Sequence, residues 1–240
     1  MSPTYQEMHK RVRSGVIGDV KLARGLYGWP GPTWAKWFYQ VGGGALFDLG
    51  VYNITSLCGF LGPVRRVTSL MGAAVPERTI NGELIKVEVA DVAQVLLDFG
   101  NSRFASITTG FTIQKYGRGP GLELYGLDGT MNLLGDDWAP DGFEQWRNEA
   151  QQWEIVPEVS PGWQWTSGLT HLVECIEGSI SSLTLPEHAF HVLEVMLASE
   201  RSAQSGNAVD VSSDFPDLDF SNRVPAANNG RAAHDTRITR

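Results

Sequence analysis

The chain has 240 residues, with 19 Lys and Arg against 27 Asp and Glu and a formal net charge of −8. This length fits one large domain, or a domain with an appendage. The acidic balance argues against a nucleic-acid partner, because phosphates require clustered basic side chains. No segment reaches the roughly 18–20 apolar residues that span a bilayer, and residues 1–13 lack a signal-peptide core. The composition therefore predicts a cytoplasmic protein that binds neither nucleic acid nor membrane.

Helix-breaking residues divide the first quarter of the chain. Residues 5–14 have the pattern of a short helix that stops at Gly15, and residues 19–27 read as a strand. The Trp-Pro-Gly-Pro segment at 29–32 then interrupts regular structure. A second helix is predicted over residues 45–61, because the apolar side chains there recur at helical spacing.

The middle of the chain changes to the two-residue period of β-strands. The strand-forming runs are 64–75, 86–99, 102–113, 122–125 and 130–134. Two-residue turns at 100–101 and 128–129 join neighbouring runs, which predicts antiparallel pairing. The polar, Trp-rich segment 135–163 is predicted to be irregular, apart from a strand near 153–156.

Two helices and a short strand complete the predicted domain. The helices span residues 166–177 and 186–206, and the strand spans 208–211. The predicted fold class is α+β: an open, predominantly antiparallel sheet with helices packed on one face, formed by residues 1–211. Residues 212–240 lack periodicity and are expected to be a disordered or loosely docked tail.

The strongest candidate site lies at the start of the second predicted helix. Gly42, Gly43 and Gly44 lead into this helix, and glycine lets a backbone approach a ligand closely because no Cβ intervenes. Asp48 and Tyr52 are four residues apart, so they share one helix face. The alternative is an ordinary polar helix face whose tyrosine packs its ring and shows its hydroxyl to water.

Three aromatic residues, Trp34, Trp37 and Tyr39, precede the glycines. One interpretation makes them a wall of the substrate pocket that stacks on a sugar or another ring. The other makes them the hydrophobic anchor of a proline-rich loop. The sequence favours neither.

Metal-ligand spacing is incomplete in this chain. His171 with Glu174, and His188 with His191, stand three residues apart on the two closing helices. No further set of ligands repeats the pattern, so no metal is predicted and these residues are interpreted as surface or helix-end residues.

Four pieces of sequence follow one another in a recognisable order: Ser14-Gly15-Val16-Ile17-Gly18-Asp19-Val20, residues 42–63, residues 123–130 and residues 186–206. Together they resemble the C-terminal domain of the glucose-fructose oxidoreductase/inositol dehydrogenase (Gfo/Idh/MocA) family over about residues 5–211. The resemblance implies an open sheet that mediates oligomerisation and a helix that closes the substrate site. It also implies an N-terminal Rossmann domain that holds NAD or NADP and supplies a lysine from a Glu-Lys-Pro motif.

The family motif Asp-x-Gly-x-His or Asp-x-Gly-x-Tyr lies opposite the nicotinamide, and Asp48, Gly50 and Tyr52 match its tyrosine form. The resemblance implies that Tyr52 hydrogen-bonds or exchanges a proton with the reacting hydroxyl, while Asp48 orients the substrate or tunes its partner. A phenol with a pKa of about 10 needs a nearby cation or a lowered pKa to accept that proton. The family lysine would be that cation.

A dinucleotide-binding loop requires Gly-x-Gly-x-x-Gly between a strand and a helix. The near match Gly117-Arg118-Gly119-Pro120-Gly121 lies between two predicted strands, and its proline blocks a following helix. The chain alone is therefore expected to bind no cofactor and to lack a Rossmann domain. NAD or NADP is implied only through the family.

The resulting hypothesis is the substrate-binding and oligomerisation half of an NAD(P)-dependent oxidoreductase acting on a sugar, cyclitol or similar polyol. The alternative is a non-redox subunit, either a stand-alone small-ligand-binding protein or a scaffold that pairs with a Rossmann-containing relative. A third hypothesis is cofactor-independent elimination or isomerisation through Asp48 and Tyr52.

A homo-oligomer is also expected. Val87, Val89, Val92 and Val95 alternate along one predicted strand, which suggests that both faces of the sheet are partly apolar. Large exposed apolar faces mark interfaces.

Overall fold

A computed structural model describes residues 2–115, 121–136, 139–160, 162–164, 166–178 and 180–220. Its helices are α1 (Pro3–Arg13), α2 (Val51–Leu61), α3 (Ser167–Ile176) and α4 (Pro186–Ser205), with a 3₁₀ turn at Lys36–Tyr39 and a π-helical turn at Leu46–Gly50. Its strands are β1 (Val20–Gly28), β2 (Arg66–Gly72), β3 (Glu77–Ile80), β4 (Glu83–Lys86), β5 (Val92–Gly100), β6 (Arg103–Gly110), β7 (Leu122–Gly126), β8 (Gly129–Asp136), β9 (Ala139–Arg147), β10 (Gln152–Pro157) and β11 (Val209–Asp210). The near match to a nucleotide loop, residues 117–120, lies outside the described residues.

One large sheet organises the domain. In the described ranges it has nine strands, in the order β10-β9-β8-β7-β1-β6-β5-β2-β11. Strands β1 and β6 run parallel, with Leu22 opposite Phe104, and the other neighbours are antiparallel. The chain returns to β6 through a crossover that contains α2, and this connection allows the parallel pair. The α+β class with a mostly antiparallel sheet is therefore confirmed, and the sheet is mixed.

The predicted strand at 86–99 is wrong as a single element. Strand β4 ends at Lys86, β5 begins at Val92, and the buried Asp91 lies between them. Strand β3 was missed altogether, and it forms a separate hairpin with β4 around Asn81 and Gly82, whose φ angles are 50° and 82°. Most side chains of this hairpin are exposed or half-exposed, so the alternation that signals a strand is weak.

The prediction of an irregular segment at 135–163 is also wrong. Strands β9 and β10 form a hairpin that extends the sheet, although the strand predicted near 153–156 is confirmed within β10. Phe143 on β9 is fully buried, but the next inward position holds Gln145, which donates to the Glu154 carboxylate over 2.8 Å. Because this core position holds a polar residue, the alternation of apolar side chains that predicts a strand is interrupted.

The core lies between the sheet and helices α1, α2 and α4. Helix α2 contacts β1, β6, α1 and α4, and its side chains Ile54 and Leu57 are fully buried. Along β5 the buried Val95 and Leu97 alternate with the exposed Leu96. One face of the sheet therefore packs on helices and the other is open. None of the helices in the described ranges is long and apolar enough to cross a bilayer.

The open sheet face is partly apolar, and of the four valines that the sequence suggested only Val92 lies on it. Val95 points to the helices, and Val87 and Val89 precede β5. The large exposed side chains on the open sheet face are Leu22, Leu70, Leu96, Phe104, Tyr125, Trp153 and Ile155. Alternation identified an apolar strand but did not say which of its residues meet the helices.

Residues 212–220 run back over α4. The Glu194 carboxylate accepts hydrogen bonds from the Ser212 hydroxyl over 2.8 Å and from the Ser213 N–H over 2.8 Å. The Phe215 ring is buried, with its centroid 4.6 Å from that of His188. Residues 221–240 of the predicted tail lie outside the described residues, and the domain boundary at residue 211 stays a prediction.

His191 connects this segment to the rest of the domain. Its Nε2 accepts the Val64 N–H over 2.9 Å, and its Nδ1 lies 3.1 Å from the Ser213 carbonyl oxygen. This arrangement requires the neutral imidazole with its proton on Nδ1. Burial lowers the pKa of His191 from its ordinary value, and burial followed by the charge of His191 lowers that of His188.

Acid is expected to destabilise the domain through these histidines. Below a pH of about 6.5 the unfolded chain takes up protons that the folded chain resists, so the free energy of unfolding decreases as the pH falls. Each histidine contributes up to about 1.4 kcal/mol per pH unit. Urea unfolding at pH 7.5 and 5.5 measures the difference. The variant His191→Gln should show a shallower pH dependence, and equal stability of the parent chain at both pH values would contradict the prediction.

Candidate functional site

Gly43 and Gly44 pack against their own chain, whereas Gly42 faces open space. A Cβ on Gly43 would lie 2.7 Å from the Phe38 carbonyl oxygen, and one on Gly44 would lie 3.0 Å from that of Ala90. Gly44 also has a φ of 104°, which side chains rarely adopt. The glycines therefore bring the 3₁₀ turn at Lys36–Tyr39 close to the start of the next helix. Their predicted contact with substrate stays a prediction.

Asp48 lies in a π-helical turn and Tyr52 lies in the first turn of α2. The π turn spans Leu46–Gly50 and passes directly into the α-helix at Val51. Such turns insert one residue into a helix and occur frequently at functional sites. The predicted proximity is evident in the electrostatics, because the negative charge of Asp48 contributes to raising the pKa of Tyr52.

The Asp48 carboxyl group is partly buried beside an indole. Burial raises the pKa of Asp48 above its ordinary value. The Trp29 indole N–H acts in the opposite direction and favours a lower pKa of Asp48. The indole N–H and the carboxyl group do not reach regular hydrogen-bond geometry. The carboxyl group is thus held in a desolvated position where an incoming hydroxyl would gain from bonding to it.

The Tyr52 side chain is 43% exposed, and its ring lies edge-on to Tyr27 at a centroid separation of 5.6 Å. Burial, and next the Asp48 charge, raise the pKa of Tyr52. Within the described residues, no Lys or Arg lowers the pKa of Asp48 or of Tyr52. The phenol therefore stays protonated at neutral pH and donates a hydrogen bond, and it needs a cation from elsewhere to accept a proton.

The three predicted aromatic residues have different environments. Trp34 and Trp37 are 57% and 58% exposed, whereas Tyr39 has no exposed surface and donates its hydroxyl proton to the Pro32 carbonyl oxygen over 2.8 Å. Trp37 stacks on the buried Phe38 with centroids 3.6 Å apart. Tyr39 thus anchors the loop, while the two tryptophans present surface to solvent.

Tyr27 and Trp29 complete the site, and the sequence did not single them out. Trp29 links the two parts of the site, because it lies beside Asp48 and its ring centroid is 5.3 Å from that of Trp34. Tyr27 lies near the end of β1, and Trp29 directly follows that strand. An aromatic residue directly before a Pro-Gly turn was the available signal.

The interpretation of His171, His188 and His191 as surface or helix-end residues is wrong, because all three are buried and have structural partners. His171 accepts the Leu183 N–H over 3.0 Å and lies 3.6 Å from the Cys175 sulfur, while His188 packs on Phe215. Among the described residues there is no cluster of three or more His, Cys, Asp or Glu that could hold a metal ion.

A dinucleotide does not fit the described residues. The parallel pair β1 and β6 is connected through α2 and four further strands, β2 to β5, and no Gly-x-Gly-x-x-Gly occurs in the sequence. At the glycine turn, backbone atoms of the chain fill the space that a Cβ on Gly43 or Gly44 would take.

Removing the Asp48 charge is expected to lower the pKa of Tyr52. Asp48→Asn keeps the side-chain shape but removes the charge that disfavours the phenolate. Alkaline ultraviolet titration, taken as the difference between each chain and its Tyr52→Phe counterpart, measures this phenol alone. The exposed Glu88→Gln makes the same acid-to-amide change and should leave the titration unaltered. An unchanged midpoint in Asp48→Asn would refute the coupling.

A family model described as the GFO/IDH/MocA C-terminal domain matches residues 5–132. This match covers the glycine turn, the Asp48 and Tyr52 pair, and strands β1 to β7. The chain belongs to the GFO/IDH/MocA family. The resemblance that the sequence suggested is confirmed.

Individual relatives of this GFO/IDH/MocA chain are distant. The chain is 30% identical to the trans-1,2-dihydrobenzene-1,2-diol dehydrogenase of Xenopus laevis over 109 residues. This match covers 45% of this chain and 30% of that protein. An NAD-binding oxidoreductase from Klebsiella pneumoniae has a similar structure, with a TM-score of 0.76 at 21% identity over 89% of this chain and 64% of that one. An aldose-aldose oxidoreductase from Caulobacter crescentus, complexed with glycerol, gives a TM-score of 0.73 at 20% identity over 87% and 61%.

These similarities show the fold of the GFO/IDH/MocA C-terminal domain across most of the chain. The chain spans less than two thirds of the length of both solved structures, and its match spans 30% of the curated relative. The family includes NAD-binding oxidoreductases, whereas the cofactor-holding residues are not among those described for this chain.

Proposed function

We propose that this chain is the substrate-binding and oligomerisation half of an NAD(P)-dependent oxidoreductase that acts on a sugar, cyclitol or similar polyol. The observation that carries the proposal is the pairing of a desolvated Asp48 carboxyl group with a protonated Tyr52 phenol on one helix. One group accepts and the other donates a hydrogen bond, which suits a hydroxyl-bearing substrate. The absence of a Lys or Arg effect on either group, within the described ranges, supports a half-site.

The aromatic surroundings favour a ring-shaped substrate. Tyr27, Trp29 and Trp34 lie around the Asp48 and Tyr52 pair, and an aromatic face packs well on the flat side of a ring. The name of the Xenopus relative states a dihydrobenzenediol, which is a ring with neighbouring hydroxyls. Asp48 and Tyr52 would bind the hydroxyls of such a diol, and the aromatic side chains would pack on its ring.

Two exposed apolar surfaces suit two partners. We assign the open sheet face to a second copy of this chain, because an apolar sheet face of this kind is stabilised by burial. The opposite side carries the outer helix stripe, which consists of Phe190, Leu193 and Leu197 on α4. We assign the outer helix stripe to a Rossmann domain that brings NAD(P) and the missing cation.

Calorimetry tests the ligand side of this proposal. The purified chain is titrated with NAD, NADP, myo-inositol and D-xylose, and Asp48→Ala serves as the site variant. We expect no dinucleotide binding by the chain alone, and polyol binding that Asp48→Ala abolishes. Dinucleotide binding would overturn the half-enzyme assignment. Polyol binding that survives Asp48→Ala would place the ligand elsewhere.

A further inference from the structure

A buried ion pair stands outside the catalytic pair yet close to its aromatic wall. Asp91 has no exposed surface, and its carboxylate accepts hydrogen bonds from the Ala74 N–H over 2.6 Å and the Val75 N–H over 3.3 Å. The Arg78 Nη2 donates to the same carboxylate over 3.0 Å. A buried charge is tolerated only with such partners, so Asp91 fixes Arg78 in place.

Arg78 in turn holds the segment that carries Trp29. Its Nη1 donates to the Pro30 carbonyl oxygen over 2.7 Å, and its Nη2 donates to the Phe111 carbonyl oxygen over 3.0 Å. The guanidinium also lies over the Tyr39 ring, 5.0 Å from its centroid. Gly31 leaves the room for this contact, because a Cβ there would lie 2.9 Å from Nη1.

The turn of the β3–β4 hairpin hydrogen-bonds to the same loop at Thr33 and Trp34. The Asn81 N–H donates to the Thr33 carbonyl oxygen over 3.0 Å, and the Asn81 Nδ2 donates to the Trp34 carbonyl oxygen over 2.9 Å. An exposed ion pair between Lys36 and Glu83, at 2.6 Å, adds a third contact. The hairpin thus touches the backbone on both sides of Trp34.

We propose that Arg78, held by Asp91, is a positioning residue that fixes Trp29 beside Asp48 and Trp34 against Trp29. It acts through the backbone of residues 29–34 and not by contact with a ligand. The planar guanidinium fork is essential, because it donates in separate fixed directions to a carboxylate and two carbonyl oxygens. A lysine would keep the charge opposite Asp91 but not this geometry. The consequence for ligand binding rests on the proposed function, whereas the ordering of the loop does not.

Hydrogen exchange measured by mass spectrometry tests the ordering of the loop. In Arg78→Gln and Arg78→Lys we expect exchange to increase about tenfold or more at residues 29–41 and at the hairpin, since a charge-assisted hydrogen bond is lost. Exchange in β7 and β8 should be unchanged. The matched control Lys36→Gln removes the exposed ion pair between the same two segments and should change exchange by less than about threefold.

Arg78→Lys separates charge from geometry. We expect it to melt close to the parent chain while the loop still exchanges rapidly. Parent-like exchange in this variant would show that charge alone suffices and would overturn the proposal. A uniform increase in exchange in Arg78→Gln, together with a protected loop in Arg78→Lys, would also overturn the proposal. Arg78→Lys also remains informative if Arg78→Gln does not fold.

Calorimetry with myo-inositol then tests the link to the site. We expect binding by Arg78→Lys to be about tenfold weaker than by the parent chain, as a displaced wall loses contacts. Equal affinity of the two chains would overturn the role of Arg78 in the site. If the parent chain does not bind myo-inositol, the proposed substrate class fails, and the exchange result alone decides whether Arg78 orders the loop.

Discussion

Phe104→Arg is expected to leave the chain monomeric at micromolar concentration. Phe104 lies near the centre of the open sheet face, opposite Leu22 on β1 and diagonal to Leu96 on β5. A guanidinium placed there would have to leave water when a second copy docks, and the cross-strand Asp98 would offset only part of that cost. Because each 1.4 kcal/mol is a tenfold change, we expect association at least about 100-fold weaker. Sedimentation velocity on the two chains measures the change.

The matched control for this variant is Phe190→Arg on α4. Phe190 is also exposed, but it belongs to the outer helix stripe on the other side of the sheet. It should leave the oligomer intact and weaken only pairing with a Rossmann domain. A parent chain that already sediments as a monomer would contradict the assignment of the open sheet face. Dissociation by both variants would show that the interface is not confined to that face.

Leu57→Ala is expected to lower the free energy of unfolding by about 2–5 kcal/mol, because it leaves a cavity beneath the helix that carries Tyr52. Leu57 has no exposed surface and packs in the main core. For a chain of this size the melting temperature should fall by about 10 °C. Thermal and urea unfolding measure both quantities.

Leu84→Ala provides the same substitution at an exposed position. Leu84 is 63% exposed on the β3–β4 hairpin, so its truncation should change stability by less than about 0.5 kcal/mol. Comparable losses in the two variants would mean that α2 is not anchored through Leu57. A large loss in Leu57→Ala alone would support the packing of α2 between sheet and α4.

Local signals predicted most of the elements and the proximity of Asp48 to Tyr52. Helical spacing placed Asp48 and Tyr52 together, and the structure keeps them electrostatically coupled despite the π turn between them. The family match rests on the same stretch. The π turn itself had no sequence signal, because inserting one residue into a helix changes hydrogen bonding without changing composition.

Burial separated residues that the sequence treated alike. Trp34, Trp37 and Tyr39 share aromatic character, but only Tyr39 lies inside the core. The glycines suggested close approach to a ligand, whereas Gly43 instead makes room for the Phe38 carbonyl oxygen. The sequence shows that the residues at such positions are small or aromatic. The packing of the surrounding chain decides whether they contact the core, the backbone or the solvent.

By itself the sequence determined the α+β class, the family and the position of Asp48 and Tyr52, since each depends on residues close together in the chain. Only the tertiary structure decided which strand residues form the open sheet face, because a two-residue period does not say which side meets the helices. It also decided the partners of Arg78, which contacts Pro30 and Phe111. Contacts between residues so far apart in the chain arise from the packing of whole elements, and local spacing carries no record of them.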